Sequence, residues 1–551
     1  MPPLLLREER TAAQQGEREE TELSHAQSIR PRATIESMSK PLQEVAVQVA
    51  PADNVAVCKF GVEDGEVLTL SDGAELTVTA TRPGHRFALA EIPAGEYVRQ
   101  YGQPIGTSQG IAAGEAVSPE NMSNEIPVVR ELPEDLTTPA PERAEARRTF
   151  QGFRRSDGRV GTRNFILIVP ASMCASHEST TIATVAEYTL YSREKYPNVD
   201  GVVAIPHNKG CGAPDGSNLE VLMRTLENYA QHPNVAGVVF LDLGCEKTNL
   251  SIFARRLDKR GVKFDKPVEW IGIQESGGTK AAIDRGLEVV EEMLPKVNEF
   301  TREECPASEL SLGVKCGGSD GFSGLSANPS LGNAADKLIA QGGTVLITEV
   351  PEFCGAEHVL ANRAKDAETG RAVYEMVDWY KEYAGKWGAE LGENPSPGNK
   401  EGGLLNIAIK SLGAIAKAGT TRVEGTTDYA DPPTEKGLHL MQGPGYDQES
   451  TPGLIGAGAQ IVVFTTGRGT TIGNAIAPVL KLASNTPIFE RMAHDLDLSA
   501  GSVIDGTETI EEVGQRVFDH VLACASGEVQ AKAEETGHRE FQVWAERAVS
   551  L

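Results

Sequence analysis

The stretch Gly313-Val-Lys-Cys-Gly-Gly-Ser-Asp-Gly-Phe-Ser-Gly324 opens on a short apolar strand and runs straight into a thiol, two glycines, a hydroxyl and a carboxylate. A polar run, an amphipathic segment and a second apolar strand, Thr344–Thr348, follow, and the chain then reaches Glu349. Strand, loop, helical segment and strand in that order describe a parallel crossover unit. Glycines let the backbone turn tightly and bring its N–H groups close to a ligand. In an open α/β sheet the ligand site lies beyond the carboxyl ends of the strands, and this loop is placed there. Taken alone, it also reads as a glycine-rich turn around a structural cysteine. Its recurrence elsewhere gives it weight.

Upstream, from Gln151, the same alternation appears. Phe165–Val169 leads into Pro170-Ala-Ser-Met-Cys174, Gly201–Ile205 into Pro206-His-Asn-Lys-Gly-Cys-Gly212, and Gly237–Leu243 into Gly244-Cys-Glu246. Val268–Ile273 is a weaker fourth strand and Ala281–Val297 a helix. Downstream, Leu438–Met441 and Gln460–Thr465 extend the second unit, and Gly467-Arg-Gly-Thr-Thr471 follows the latter. Asn394-Pro-Ser-Pro-Gly-Asn-Lys400 is a rigid polar loop, and Ile510, Val513, Val517 and Val521 mark a terminal helix. The fold class expected is α/β, with two units of mainly parallel sheet over residues 151–305 and 306–551.

Between residues 46 and 122, short alternating runs such as Glu75–Ala80 and Arg86–Ala90 are punctuated by Pro-Gly and Ala-Gly turns, which predicts a small β domain. Residues 123–150 carry Pro127, Pro133, Pro139 and Pro141 among acidic residues and read as a proline-stiffened linker. Residues 1–45 are polar and aperiodic, the pattern of a disordered tail, and Met38 offers an alternative start.

A net charge of -26 argues against nucleic acid as a partner, since that requires a basic surface. No apolar run approaches the ~18 residues that span a membrane. Leu4–Leu6 is followed at once by Arg7, Glu8, Glu9 and Arg10, which is no signal-peptide core. Eight cysteines scattered over 551 residues form no disulfide framework, so a reducing cytoplasm is expected, with thiols available to a metal or to catalysis.

Four of those cysteines, Cys174, Cys211, Cys245 and Cys316, end strands, and strand ends of a parallel sheet can share one site. Thiolates suit iron, zinc and iron–sulfur clusters, with His207 and Glu246 beside them as further donors. No C-x-x-C pair occurs. Cys58, Cys305, Cys354 and Cys524 lack this setting and default to structure. Gly467–Thr470 is a natural anion cradle in which Arg468 can hold a carboxylate at two points. A dinucleotide reading fails there, because the glycines at 467, 469 and 473 are spaced G-x-G-x-x-x-G.

With these residues laid out, the chain from Asp53 onward resembles the altronate/galactarate dehydratase family. The matching motifs are Gly158-Arg-Val-Gly-Thr-Arg-Asn164, Gly210-Cys-Gly212, Leu243-Gly-Cys-Glu246, Cys316 to Gly324, Asn394 to Lys400 and Thr466-Gly-Arg-Gly-Thr470. The resemblance implies an N-terminal SAF-type β-clip domain, a dimerising α/β domain giving a homodimer, and a Rossmann-like C-terminal domain. It implies metal-dependent removal of water from a sugar acid to give a 2-keto-3-deoxy sugar acid, with Fe2+ as cofactor and Mn2+ or an Fe-S cluster as alternatives. Altronate-type members carry a His-x-His-Asn run where this chain reads Ser118-Pro-Glu-Asn121, and Ala500 to Gly514 is galactarate-like. Glu349 to Glu357 and Gly443-Pro-Gly445 are altronate-like, so the substrate stays open.

On this reading His207 is the base and Glu349 and Glu352 are acid or metal partners. Cys174, Cys211, Cys245, Glu246 and Cys316 bind metal. Arg163, Ser319, Asp320, Asn399, Lys400, Arg468 and Thr470 bind substrate. Two other readings remain: a related lyase that expels sulfite from sulfolactate, and a non-catalytic sugar-acid binding protein.

Overall fold

The computed structural model describes residues 39–212 and 215–546. Most of the expected tail lies outside the described residues, but its last part does not belong to it. Lys40–Pro41 pairs in parallel with Glu66–Thr69, and Leu42 and Val45 on the short helix Leu42–Val45 are buried.

The amino-terminal unit is a set of three small three-stranded sheets. Val55–Cys58 lies between Ala46–Val47 and Arg86–Ala88, both antiparallel to it. Glu75–Val78 alternates exposed and buried residues, as expected of a strand with one face on the core. The proline-bearing segment after it is docked on the larger body. Arg130 pairs with Asp378 and Glu357, and the Ala144 N–H donates to the Ala340 carbonyl.

The next sheet is built from β1 (Phe165–Pro170), β2 (Gly201–Ala204), β3 (Val235–Asp242) and β4 (Val268–Gly272), all parallel, in the order β2-β1-β3-β4. Successive residues of a strand point to opposite faces. Ile166 and Ile168 therefore join the cluster of helices Ser176–Thr189 and Thr279–Val297, while Leu167 and Val169 join that of helix Ser217–Gln231. Gly286 allows the first two helices to close together, because a Cβ there would lie 2.4 Å from the Ile182 side chain.

The carboxyl-terminal sheet has seven strands: β5 (Ser311–Cys316), β6 (Thr344–Ile347), β7 (Val423–Thr427), β8 (Gly437–Met441), β9 (Ile461–Thr466), β10 (Val479–Ala483) and β11 (Leu498–Ser499). All pair in parallel, in the order β7-β8-β6-β5-β9-β10-β11. Counted from β5 this is 3-4-2-1-5-6-7, which differs from the dinucleotide-binding order 3-2-1-4-5-6. Strands β7 and β11 carry few apolar residues and β10 is a short Val-Leu-Lys-Leu-Ala run interrupted by Lys481, and the sequence reading did not find them.

Asn234, just before β3, joins the amino ends of the two sheets. Its Oδ1 accepts from the Thr162 N–H at 2.8 Å, and its Nδ2 donates to the carbonyls of Gln460 at 3.1 Å and Ile476 at 2.9 Å. No helix among the described residues is long and apolar enough to cross a membrane.

Candidate functional site

Each parallel sheet has one place where successive crossovers leave in opposite directions. These are β1/β3 in the first sheet and β5/β9 in the second, and such points are where α/β sheets bind ligands. Each holds a cluster of chemically capable side chains.

At the first point, Cys174 sits in the single turn Met173–Ala175 just past β1, Cys211 follows β2, and Cys245 follows β3. All three thiols are exposed. Their loops are tied together: the Met173 N–H donates to the Lys209 carbonyl at 2.6 Å, the Ser172 hydroxyl to Glu246 Oε1 at 2.8 Å, and the Thr248 hydroxyl to the Ala171 carbonyl at 2.6 Å. A cavity of about 410 Å³ is lined by two of the three cysteines, Cys174 and Cys211, with Asn208, Lys209, Asn218 and Trp544 among others.

His207, the expected base, is held inside its own loop. Its Nε2 donates to the Pro170 carbonyl at 3.0 Å and its Nδ1 accepts from the Lys209 N–H at 3.2 Å, so both ring nitrogens are spent. Burial disfavours the imidazolium and pushes its pKa down to about 4. Its role is to shape the loop that carries Cys211. Glu246 is likewise taken up, by the Ser172 hydroxyl and the N–H groups of Leu243 at 2.9 Å and Gly244 at 2.8 Å. Burial alone would raise its carboxyl; those donors outweigh it and hold the group below the usual range. Glu246 braces the loop.

Cys316 belongs to the second point, on the other sheet. The group of thiol, imidazole and carboxylate atoms that lie within 4.8 Å of one another is Cys316, Glu349 and Glu352, among the described residues, and none of the other three thiols joins it. The expected convergence of four cysteines is thus three and one, because their strands belong to two sheets.

Around Cys316 the interior is crowded with charge. Lys315 bonds to Glu349 and, at 2.7 Å, to Asp447. Lys417 reaches Glu349 Oε2 at 2.9 Å and Cys316 Sγ at 3.1 Å, and Lys410 reaches Glu352 Oε1 at 2.8 Å. The Cys316 thiol donates to Glu352 Oε2 at 3.2 Å. All but Asp447 are buried. Glu349 holds a left-handed backbone with φ 76°, which costs a side-chain-bearing residue on the order of 1–3 kcal/mol unless its surroundings enforce it. A Cβ on Gly317 would lie 2.6 Å from the Asp447 carboxylate, so the loop needs glycine to close over the cluster.

Burial and the neighbouring Glu352 charge push the Glu349 carboxyl up. For Glu352, burial is outweighed by Lys410, Lys417 and Lys315, which pull it down to about 2. Burial and both glutamates push the Cys316 thiol up, against the pull of Lys417 and Lys315. A divalent ion there would sit against three ammonium groups that already hold its donors. Cys316, Glu349 and Glu352 stand close enough together to take a metal, and in this arrangement lysines hold them. The sequence reading missed Lys315, Lys410, Lys417 and Asp447, although a lysine inside the buried strand β5 and two lysines seven apart on the apolar segment from Ile407 were visible signals.

The remaining expected substrate ligands scatter. Arg163 is buried in an ion pair with Glu534 at 2.7 Å and donates to the Cys524 carbonyl, tying the carboxyl-terminal segment to the first sheet. Asp320 accepts from Ser323, Ser484 and Asn485, and Asn399 caps its own helix at Ser396 and donates to the Ser319 carbonyl. These three are structural. Ser319 Oγ is buried without a hydrogen-bond partner, and Thr470 Oγ1 accepts from the Ile472 N–H. Arg468 is exposed and pairs with Glu401 at 3.0 Å, whereas Lys400 borders a separate cavity of about 250 Å³.

A small β unit followed by two parallel α/β sheets, with thiols at one switch point and a buried lysine–glutamate cluster at the other, defines a multidomain α/β protein equipped for polar chemistry. Comparison with known families makes it specific. Residues 44–125 match the altronate/galactarate dehydratase SAF domain, 152–298 the D-galactarate dehydratase/altronate hydrolase second domain, and 307–549 the D-galactarate/altronate dehydratase C-terminal domain. The chain is similar to altronate dehydratase of Bacillus subtilis (strain 168), 34% identical over 488 residues, covering 88% of this chain and 95% of the relative. It is similar to galactarate dehydratase (L-threo-forming) of Escherichia coli (strain K12), 35% over 522 residues, covering 93% and 99%. A third relative is the (2R)-sulfolactate sulfo-lyase subunit beta of Chromohalobacter salexigens, 33% over 397 residues, covering 72% and 96%. The chain belongs to the altronate/galactarate dehydratase family.

Proposed function

We propose that the protein is a hydro-lyase that removes water from a sugar acid of the galactarate or altronate type, giving a 2-keto-3-deoxy sugar acid, and that it does so at the cavity lined by Cys174 and Cys211, with Cys245 on the neighbouring loop. The observation that carries the reading is the presentation of three exposed thiols at a sheet's switch point, in a chain whose relatives are named altronate and galactarate dehydratases.

The donor set there suits iron: the thiols are soft and exposed. When bound, iron supplies Lewis-acid stabilisation of the charge that develops on a substrate carboxylate as the proton α to it leaves, a contribution of several kcal/mol in metal catalysis generally. Asn208, Lys209 and Asn218 line the cavity and offer N–H donors to a carboxylate and hydroxyls. His207 and Glu246 keep the cysteine loops in place. Trp544 closes one wall with apolar surface.

The test is to incubate the protein, purified without air and loaded with ferrous iron, with a panel of aldonates and aldarates and to assay 2-keto-3-deoxy acids. Formation of that product from one of them is expected. Its absence across the panel, with sulfite released from sulfolactate instead, overturns the reading in favour of the related lyase.

A further inference from the structure

We infer that a halide-sized monovalent anion is held on the side chains of Arg86 and Gln100, in the seam between the amino-terminal β unit and the loop of residues 317–325. The inference does not rest on the dehydratase reading.

Arg86 opens the strand Arg86–Ala88 and stands opposite Val57 on the strand Val55–Cys58. Partners directly opposite each other lie on one face of a sheet. Val57 packs on Phe322 and Leu325, so Arg86 faces the same loop, the one that follows Cys316. The two surfaces meet closely there. Gly84 packs on Gly321, His85 Nε2 lies 3.1 Å from the Glu401 carbonyl oxygen, and a Cβ on Gly324 would run into the Tyr101 hydroxyl.

The guanidinium is buried and short of acceptors. Arg86 is 0% exposed, and its Nε donates to Gln100 Oε1 at 2.8 Å. Its Nη1 and Nη2, and Nε2 of Gln100, find no acceptor among the described residues. Native proteins rarely bury donors in that state, and an unpaired buried charge is strongly destabilising.

The carboxylates that act on Tyr101 do not supply the missing charge. Asp53 spends its oxygens on the N–H groups of Ala50 at 2.9 Å, Tyr101 at 3.1 Å and Gly102 at 2.7 Å. Asp320 is held by Ser323, Ser484 and Asn485. Burial pushes the Tyr101 phenol up to about 12, so it stays neutral, and pulls Arg86 down only to about 10, so it stays charged at neutral pH.

The seam therefore calls for a negative charge that accepts several N–H groups in a closed space. Water accepts but brings no charge. A carboxylate carries carbon that must continue from it, and Arg86 and Gln100, 0% and 1% exposed, leave that carbon no way out. A spherical ion accepts from every side. Bound to the folded chain and not to the unfolded one, it stabilises the docked β unit.

The experiment is thermal unfolding of the full chain at a constant salt concentration of about 0.1 M, so that screening is fixed, while methanesulfonate is replaced stepwise by chloride, bromide or formate. Chloride and bromide should each raise Tm by at least about 2 °C. The chlorine NMR line should broaden on adding the protein and narrow again on adding bromide. A net charge of -26 disfavours chloride on the surface, so the surface does not supply that signal. Arg86→Met should lose the halide-dependent rise and should melt no lower than the wild type in methanesulfonate alone, because the unpaired charge is gone. A wild-type Tm that ignores the exchange of methanesulfonate for halide overturns the inference, as does a halide-dependent rise that persists in Arg86→Met. A rise with formate and none with either halide overturns the choice of a halide. If Arg86→Met fails to fold, the comparison of anions on the wild type still decides.

Discussion

Replacing Lys417 with methionine tests the buried cluster around Cys316 most directly. Methionine keeps much of the volume but removes the cation that lies 2.9 Å from Glu349 and 3.1 Å from Cys316. Both partners are buried, so Glu349 cannot turn to water for compensation. Breaking such a pair by deleting one member costs about 3–5 kcal/mol, because the buried charge left behind is undercompensated; Lys315 stays beside Glu349 and sets the loss towards the lower end of that range. At about 2–4 °C per kcal/mol for a domain of this size, thermal unfolding of the variant should fall by roughly 6–20 °C.

The loss should also depend on pH. Glu349 already binds its proton more tightly than in the unfolded chain, and removing Lys417 raises its folded pKa further. A carboxyl raised in this way contributes stability at pH below its unfolded value, about 4.3, and loses it as pH rises through the folded pKa. The deficit should therefore be smaller at pH 5 than at pH 8. Adding Glu349→Gln to the variant neutralises the stranded carboxyl and should recover a large part of the loss. A drop below about 2 °C, a deficit independent of pH, or no recovery in the double variant would each refute the reasoning, the last pointing to lost packing alone.

Other outcomes follow from the same geometry. Arg468→Ala should leave stability within about 1 kcal/mol, since its pair with Glu401 is exposed; if Arg468 holds the substrate's carboxylate, KM rises in the folded variant, and an unchanged KM removes it from the binding set. Arg163→Gln should lower thermal stability by several degrees while leaving KM unchanged, because Arg163 ties Glu534 and the Cys524 carbonyl instead of a ligand. His207, whose folded pKa lies near 4, is stabilising above its unfolded pKa of about 6.5 and loses that contribution as pH falls towards 4. The melting temperature should decline over that window, and His207→Gln should flatten the decline in part, with His232, also held low by burial, accounting for some of the rest. Light scattering should give a mass of two chains if the homodimer implied by the resemblance forms.

The sequence alone determined the alternation of strand and helix and the position of each thiol at a strand end. Those features are local: an apolar run of four to eight residues followed by glycine signals a strand and its turn wherever the chain later places it. Family membership was legible for a related reason, since motifs such as Cys316 to Gly324 are contiguous. The grouping of the thiols was not. Whether Cys316 meets Cys174 depends on which sheet β5 joins, and pairing between strands more than a hundred residues apart leaves no mark on either one. The same holds for His207 and Arg163, whose residue types suggested base and carboxylate clamp. Only the tertiary structure shows that Pro170, Lys209 and Glu534 already take their hydrogen bonds. Lys315, Lys410 and Lys417 were the reverse case, lysines in apolar segments whose charge is tolerable only because folding brings Glu349, Glu352 and Asp447 within reach.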